Sequence, residues 1–360
     1  MKATTQKNIT VHDVAREAGV SQSTVSAVLN DYAWISASTR RRVLQAVQRL
    51  GYVPNSAARH LVLRKHAPSA RGNIIVLMIS QRLTGGLVNP IFAGVAAGAA
   101  HEVMGTSRML DMEVIPAEYR GVLDLPACLR GEDAGGVIAL GSGVRAAVDD
   151  LRRMGIPVVL VESPGGAADD IVHVDNHQAV YDAVTYLVSM GHRNIAYIDA
   201  DAGNVEMSDA RVRGYRDALR AARLKPDPQL VEHCNMTCRG GYEAMRRLLE
   251  RRRHFSAVAC INDNTAFGAI FAIREAGMRV PEDISVVGYD DVELAVQFVP
   301  ALTTVKPPTE ELGRRAVRRL LEIMRDGTSV PSHIAVAASL QIRDSVRRLS
   351  HSTTDLTQGG

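Results

Sequence analysis

The chain has 360 residues, 46% hydrophobic and 22% charged, a globular composition with length enough for two or three domains. No apolar stretch approaches the ~20 residues of a membrane span, and the opening MKATTQKNITVHD has no apolar core, so neither a membrane anchor nor a secretory signal is expected. The net charge of +3 is uneven: residues 1–66 hold 10 basic against 3 acidic side chains, net +7, and the remainder holds 32 against 36, net −4. A basic head on a mildly acidic body predicts that the head meets a polyanion, without separating DNA from RNA or an anionic surface.

The head reads as three short helices. Thr10 with Asp13 forms a T-x-x-D start for the first, which stops at Gly19. Ser21 caps a second, Gln22 to about Leu29, after a turn of three residues. A third begins near Ser36 to Thr39, carries Val43, Leu44, Val47 and Leu50 at helical spacing, and ends at Gly51. Two helices joined so tightly and braced by a third make a helix-turn-helix. The second helix, SQSTVSAVLN, has Gln22, Ser23, Ser26 and Asn30 on one face, residues poor for helix stability and suited to close polar contact. Asn55 starts a further short helix, Ser56 to Leu63, below the ~12–15 residues at which an isolated helix is even marginal, so it requires a partner. The stretch Pro68 to Gly72 ends the head.

From Asn73 the texture changes. Apolar runs at 74–79, 135–140, 157–161, 194–198, 257–261 and 284–289 are mostly separated by helical stretches. Buried runs alternating with helices predict an α/β core of two doubly wound parallel-sheet lobes. Gly313 to Arg319 reads as a solvated arginine-rich helix face backed by Leu312, Val317, Leu320 and Leu321. The end, RRLSHSTTDLTQGG, reads as a polar disordered tail without the leucine heptads of a tetramerising coil. Cys128, Cys234, Cys238 and Cys260 are few and irregular, the pattern of free thiols in a reducing compartment and not of a metal or disulfide site. GxGxxG, GxxxxGK[ST] and GxSxG motifs are all lacking, so no enzyme activity or cofactor is expected.

The ordered motifs ITVHDVAREAGVSQSTVSAVLN, TRRRVLQAVQRLGYVPNSAARHL, NPIF (89–92), VDN (174–176), GHRNIAYI (191–198), RVRGY (211–215), INDNTAFGA (261–269), VPEDISVVGYDD (280–291) and PALTTVKPP (300–308) closely resemble the lactose-repressor (LacI/GalR) family of bacterial transcription regulators over about residues 9 to 345. The resemblance implies an all-α helix-turn-helix head at 1–54, a hinge helix and linker at 55–71, and a two-lobed, periplasmic-binding-protein-like core at 72–345, with a tail at 346–360. It places a first lobe at about 72–163 plus 302–331 and a second at about 164–301 plus 332–345. It further implies a cytoplasmic homodimer on near-palindromic double-stranded operator DNA, most simply a repressor, with a carbohydrate-like effector between the lobes. The competing reading, a sugar-binding protein or enzyme on the same core, leaves the basic head unexplained.

Residue by residue, Gln22, Ser23 and Ala27 match base-reading positions; Gln pairs with adenine, whereas Ala27 replaces a usual long polar residue and predicts either less discrimination opposite it or an operator altered there. Thr10, Ser21, Thr24, Ser26, Asn30, Thr39 and Arg40 are expected to contact phosphates or cap helices. Leu61 matches a minor-groove wedge, with Ala57 and Ala58 small enough for two hinge helices to meet. In the cleft the resemblance implies Phe92 beside the ligand and Arg211 and Asp263 clasping polar groups; Asp290 and Asn176 are weaker candidates that either reach the ligand or cap turns and join the lobes, and Glu162, at the end of PVVLV, either projects into the cleft or caps its loop. Met236 stands where relatives carry an aromatic platform. Effector identity, inducer or corepressor action and target genes are not legible in the residues.

Overall fold

The computed structural model describes residues 10–29, 35–50, 72–81, 90–131, 133–201, 205–327 and 330–349. Asn30 and the hinge residues Ala57, Ala58 and Leu61 lie outside these, as does the side chain of Ser26.

The head contains α1 (Val11–Ala18), α2 (Gln22–Leu29) and α3 (Ala37–Leu50). Thr10 and Asp13 form a reciprocal capping box, satisfying amides that the first turn leaves open, and Gly19 ends α1 at φ 61°, a conformation glycine adopts without strain. Val14, Ala15, Ala18, Val25, Val28, Val43 and Ala46 form a small apolar core shared by the three helices. The helical periodicity read from the sequence thus meets on one interior.

The remainder, from Arg71, is a second compact unit built on two six-stranded sheets. The first contains β1 (Ile74–Ser80), β2 (Met109–Ile115), β3 (Ala134–Leu140), β4 (Val158–Val161), β5 (Asp170–Val174) and β11 (His333–Val336), in the order β11-β5-β4-β3-β1-β2, all parallel. The second contains β6 (Ile195–Ala200), β7 (Val231–Cys234), β8 (Ala257–Cys260), β9 (Ser285–Tyr289), β10 (Thr303–Lys306) and β12 (Ser339–Gln341), in the order β12-β10-β9-β8-β6-β7, with only β12 antiparallel.

Helices cover both faces of each sheet, which is why the strands read as continuous apolar runs. On the first, α4 (Pro90–Met104) and α12 (Thr309–Asp326) cover one face, α5 (Ala127–Arg130) and α6 (Arg145–Arg153) the other. On the second, α7 (Asn176–Ser189) and α8 (Val205–Ala221) cover one face, α9 (Cys238–Glu250) and α10 (Asp263–Glu275) the other. α11 (Glu293–Gln297) follows β9. Helix pairs approach through glycine: a Cβ on Gly98 of α4 would stand 1.9 Å from the Glu310 carbonyl oxygen, and one on Gly268 of α10 would stand 1.9 Å from that of Cys238. Among the described residues, no helix is long and apolar enough to cross a membrane.

Strand pairing corrects the lobe boundaries expected from the sequence. β5 pairs with β4, so residues 164–174 belong to the first lobe; β11 also joins that lobe, whereas β10 joins the second. The chain therefore crosses between lobes after Val174, after Lys306 and after Val336. The ordered chain also continues past 345. Val346 is buried, Arg347 N–H donates to Ser285 Oγ at 3.1 Å, and Leu349 N–H donates to the Met190 carbonyl at 2.8 Å. His192 holds the same segment, its imidazole lying 2.9 Å from Ser256 Oγ and 3.1 Å from the Arg347 carbonyl.

Candidate functional site: the recognition helix and the interlobe cleft

In the head, Ser21 Oγ accepts the Thr24 amide at 3.1 Å and touches the Ser23 and Thr24 hydroxyls at 2.7 and 2.8 Å, fixing the start of α2. Gln22 and Ser23 are exposed on its first turn, the end a recognition helix presents to base edges. Ala27 is 5% exposed, so the sequence expectation of a base-facing alanine is not met in this conformation. Thr10 and Ser21 act as caps, and Ser36 Oγ accepts the Thr39 amide at 3.3 Å while donating to its hydroxyl at 2.9 Å. Arg40 N–H donates to the Ser36 carbonyl at 3.0 Å within the same turn.

In the core, parallel strands send their carboxyl ends toward the crossovers, where doubly wound folds place ligands. Glu162 follows β4 at φ 45°, and its Oε1 accepts the Val174 amide at the first crossover. Burial pushes its carboxyl up, opposed by that amide and by the charge of Arg211. Asn176 opens α7 just beyond the crossover. Its Oδ1 accepts from Arg211 Nε at 2.8 Å and from the Tyr289 hydroxyl at 2.9 Å, and its Nδ2 donates to the Val174 carbonyl at 3.3 Å.

Arg211, on α8, is 5% exposed. One terminal nitrogen donates to the Ile261 carbonyl at 2.7 Å, and the guanidinium lies 3.6 Å from the centre of the Tyr289 ring. Such a cation–π and hydrogen-bonded clamp makes a buried charge tolerable and fixes its direction. Asp290, next after β9, has φ 114° and donates its amide to the Val305 carbonyl at 2.8 Å, while its carboxylate accepts no hydrogen bond among the described residues. Burial first, and then the neighbouring Glu162 charge, push Asp290 up to about 7 against the lowering effect of Arg211.

Two expected ligand contacts have different places. Asp263 is fully buried, with Oδ1 accepting the Thr304 hydroxyl at 2.5 Å and Oδ2 the Val292 amide at 2.9 Å. It fastens β10 and the segment after β9 to α10, and is not an open acceptor; burial pushes it up to about 7. Phe92 is fully buried in the first lobe's core, so its ring has no face free for stacking. Met236 sits at φ 61°, half-buried against the second lobe's core, with its carbonyl accepting from Asn262 Nδ2 at 3.0 Å.

Sequence reasoning missed Tyr289, Tyr197 and Asp199. Tyr289 adjoins Asp290 in the GYDD motif, the signal that could have found it. Tyr197 stacks on Tyr215 with ring centres 5.0 Å apart, and its buried hydroxyl has no hydrogen-bond partner among the described residues. Burial holds that phenol well above its usual range, with the Asp199 charge adding to the effect. Asp199 lies on the same strand, two residues on, and is itself buried, 3.9 Å from His233 Nδ1.

A helix-turn-helix head in one chain with a two-lobed core, polar groups gathered where the lobes meet, defines a DNA-binding transcriptional regulator of the ligand-responsive kind. The comparisons agree along the whole chain. Residues 10–55 match the lacI family of bacterial regulatory proteins, and residues 184–346 match a periplasmic binding protein-like domain. The HTH-type transcriptional regulator CelR of Thermobifida fusca is 33% identical over 93% of this chain and 98% of its own. A transcriptional regulator CelR–cellobiose complex superposes with TM-score 0.67 at 30% identity, over 94% of this chain and 99% of its own. The lac repressor dimer bound to operator and the anti-inducer ONPF superposes with TM-score 0.75 at 26% identity, over 95% and 100%. The chain belongs to the lacI family of bacterial regulatory proteins.

Proposed function

We propose that this regulator binds a near-palindromic operator as a homodimer and represses transcription, and that a hydroxyl-rich, carbohydrate-like metabolite in the interlobe cleft changes its operator affinity. The observation that carries the ligand reading is the clamped Arg211 guanidinium near the Asp290 carboxylate, which accepts no hydrogen bond among the described residues. A fixed donor beside a vacant acceptor suits vicinal hydroxyls, each of which gives one hydrogen bond and takes another. Cellobiose in the CelR complex supports the same ligand class. Glu162 and Tyr197 are the next candidates to reach the ligand, and Asn176 positions Arg211.

Gln22 and Ser23 are proposed to read bases, with Ser21, Thr24, Thr39 and Arg40 placing the helix against the backbone. A homodimer is supported by exposed apolar residues in both lobes: Met109, Met112 and Val114 along edge strand β2, and Phe271, Leu294 and Val299 in the second. No catalytic role is assigned to any residue, and action on operator DNA places the protein inside the cell.

The test is selection of a duplex from a random pool, followed by anisotropy titration with and without a carbohydrate panel. A hit should shift operator affinity at least about fivefold, the low end of allosteric couplings. Gln22→Ala should cost about 1–3 kcal/mol at one symmetric pair of operator positions. Equal affinity for all duplexes would remove the reading of α2, and a panel without effect on DNA binding would remove the carbohydrate.

A further inference from the structure

We propose that the second lobe carries a separate binding site for a small metabolite bearing a phosphate group, at the end of its sheet opposite the cleft. A cavity of about 240 Å³ opens there between the start of β6, the end of α8 and the turn before β8. Arg193, Lys225, Arg253 and His254 line it, against a single acid, Asp227. Arg193, Lys225 and His254 make no hydrogen bond or ion pair among the described residues. Arg253 donates only its Nε, to Gln229 Oε1 at 2.6 Å.

Several other arginines of the lobe are paired instead. Arg239 pairs with Glu243 at 2.5 Å, Arg247 with Glu232 at 2.9 Å and Arg279 with Asp283 at 3.3 Å. Cations gathered around one concavity with a single counter-charge repel one another, and a multivalent anion relieves that repulsion.

The walls define the rest of the ligand. Tyr215, Leu219 and Leu230 form its buried floor, and an adjoining cavity of about 190 Å³ shares Tyr215 and Asp227. A space of this size takes a small molecule with a carbon skeleton, and a peptide strand or duplex would not enter it. Because β6, β8 and β9 run parallel, their amino ends lie on the order of 15 Å from the ends that carry Ile261 and Asp290. The two sites are therefore distinct, yet Tyr215 follows Arg211 by one turn of α8, and its hydroxyl donates to the Ile195 carbonyl at 2.8 Å. One helix touches both sites.

The experiment is calorimetric titration of the full chain with inorganic phosphate and with glycerol 3-phosphate, at an ionic strength held constant with sodium chloride. Saturable binding is expected for both, because the cavity has room for the carbons of glycerol 3-phosphate beside its phosphate. Arg193→Ala/Lys225→Ala should weaken it at least about tenfold, as expected for two lost charge-assisted contacts. Asp227→Asn, which keeps an oxygen to cap the Gln229 amide, should tighten it at least about threefold by removing the one repelling charge. Midpoints unchanged in both variants would place the anion at the basic head or the cleft and overturn the proposal. A wild-type response no larger than that to added chloride would overturn it as well.

Discussion

The two lobes share one architecture and differ in what their strand ends carry. The first lobe brings a single carboxylate, Glu162, to the crossovers, and its largest aromatic near the site, Phe92, is spent on the core. The second gathers Asn176, Tyr197, Arg211, Tyr289 and Asp290 around one buried cation. Equal folds thus carry unequal chemistry: the second lobe holds most of these polar groups, and the first adds one carboxyl.

The largest effect expected from breaking this asymmetry comes from Arg211→Ala. It leaves the Asn176, Tyr289 and Ile261 acceptors and the facing carboxylates without their cation, and should cost about 3–5 kcal/mol in denaturant unfolding of the core as well as abolish effector response. A loss confined to ligand response would mean that the cation does not hold the lobe together. Asp290→Asn should act with the opposite sign. The folded-state value of Asp290, about 7, exceeds the ordinary 3.8, so the wild-type protein loses stability as pH rises from about 4 through about 7. The amide avoids that loss, and the variant should gain about 2–4 kcal/mol over wild type above pH 7 and nothing near pH 4. A pH-independent difference would remove the burial account of this carboxylate.

Where the lobes are alike, they should respond alike. Gly98→Ala in the first and Gly268→Ala in the second each push a methyl group against a neighbouring backbone carbonyl, and each should cost about 1–3 kcal/mol in thermal unfolding. Tyr197→Phe is the mildest change, removing a buried hydroxyl that has no hydrogen-bond partner among the described residues. Stability should be unchanged or higher by about 1 kcal/mol. A simultaneous drop in effector affinity would place that hydroxyl on the ligand.

The head was largely legible in the sequence because its signals are local. Thr10 with Asp13, Gly19 and Ser21 are helix-end chemistry within a few residues, and the structure uses each as read. Arg211 and Asp290 were found through motifs and Glu162 through its place after an apolar run; Asp290 and Glu162 follow strand ends, and Arg211 reaches them from α8. Phe92 and Asp263 were misread for one reason: an aromatic or acid near a cleft has the same letters whether it faces the ligand or the core. Tyr289 and Tyr197 were missed because alternation along a strand cannot tell a face turned to a helix from one turned to a buried arginine.

The sequence by itself determined the helix-turn-helix, the alternating α/β texture, the charge division between head and body, and the family. The first three follow from capping, periodicity and composition, which act over at most a few turns of chain, and the family follows from the resemblance of the ordered motifs. The tertiary structure alone decided that β5 and β11 belong with the first sheet and β10 with the second. It also decided that Asp263 is a fastener and that Arg211 is clamped from three sides. Those outcomes depend on which distant strand supplies the hydrogen-bonding partner and which neighbours exclude water, and a buried apolar strand carries no local mark of either.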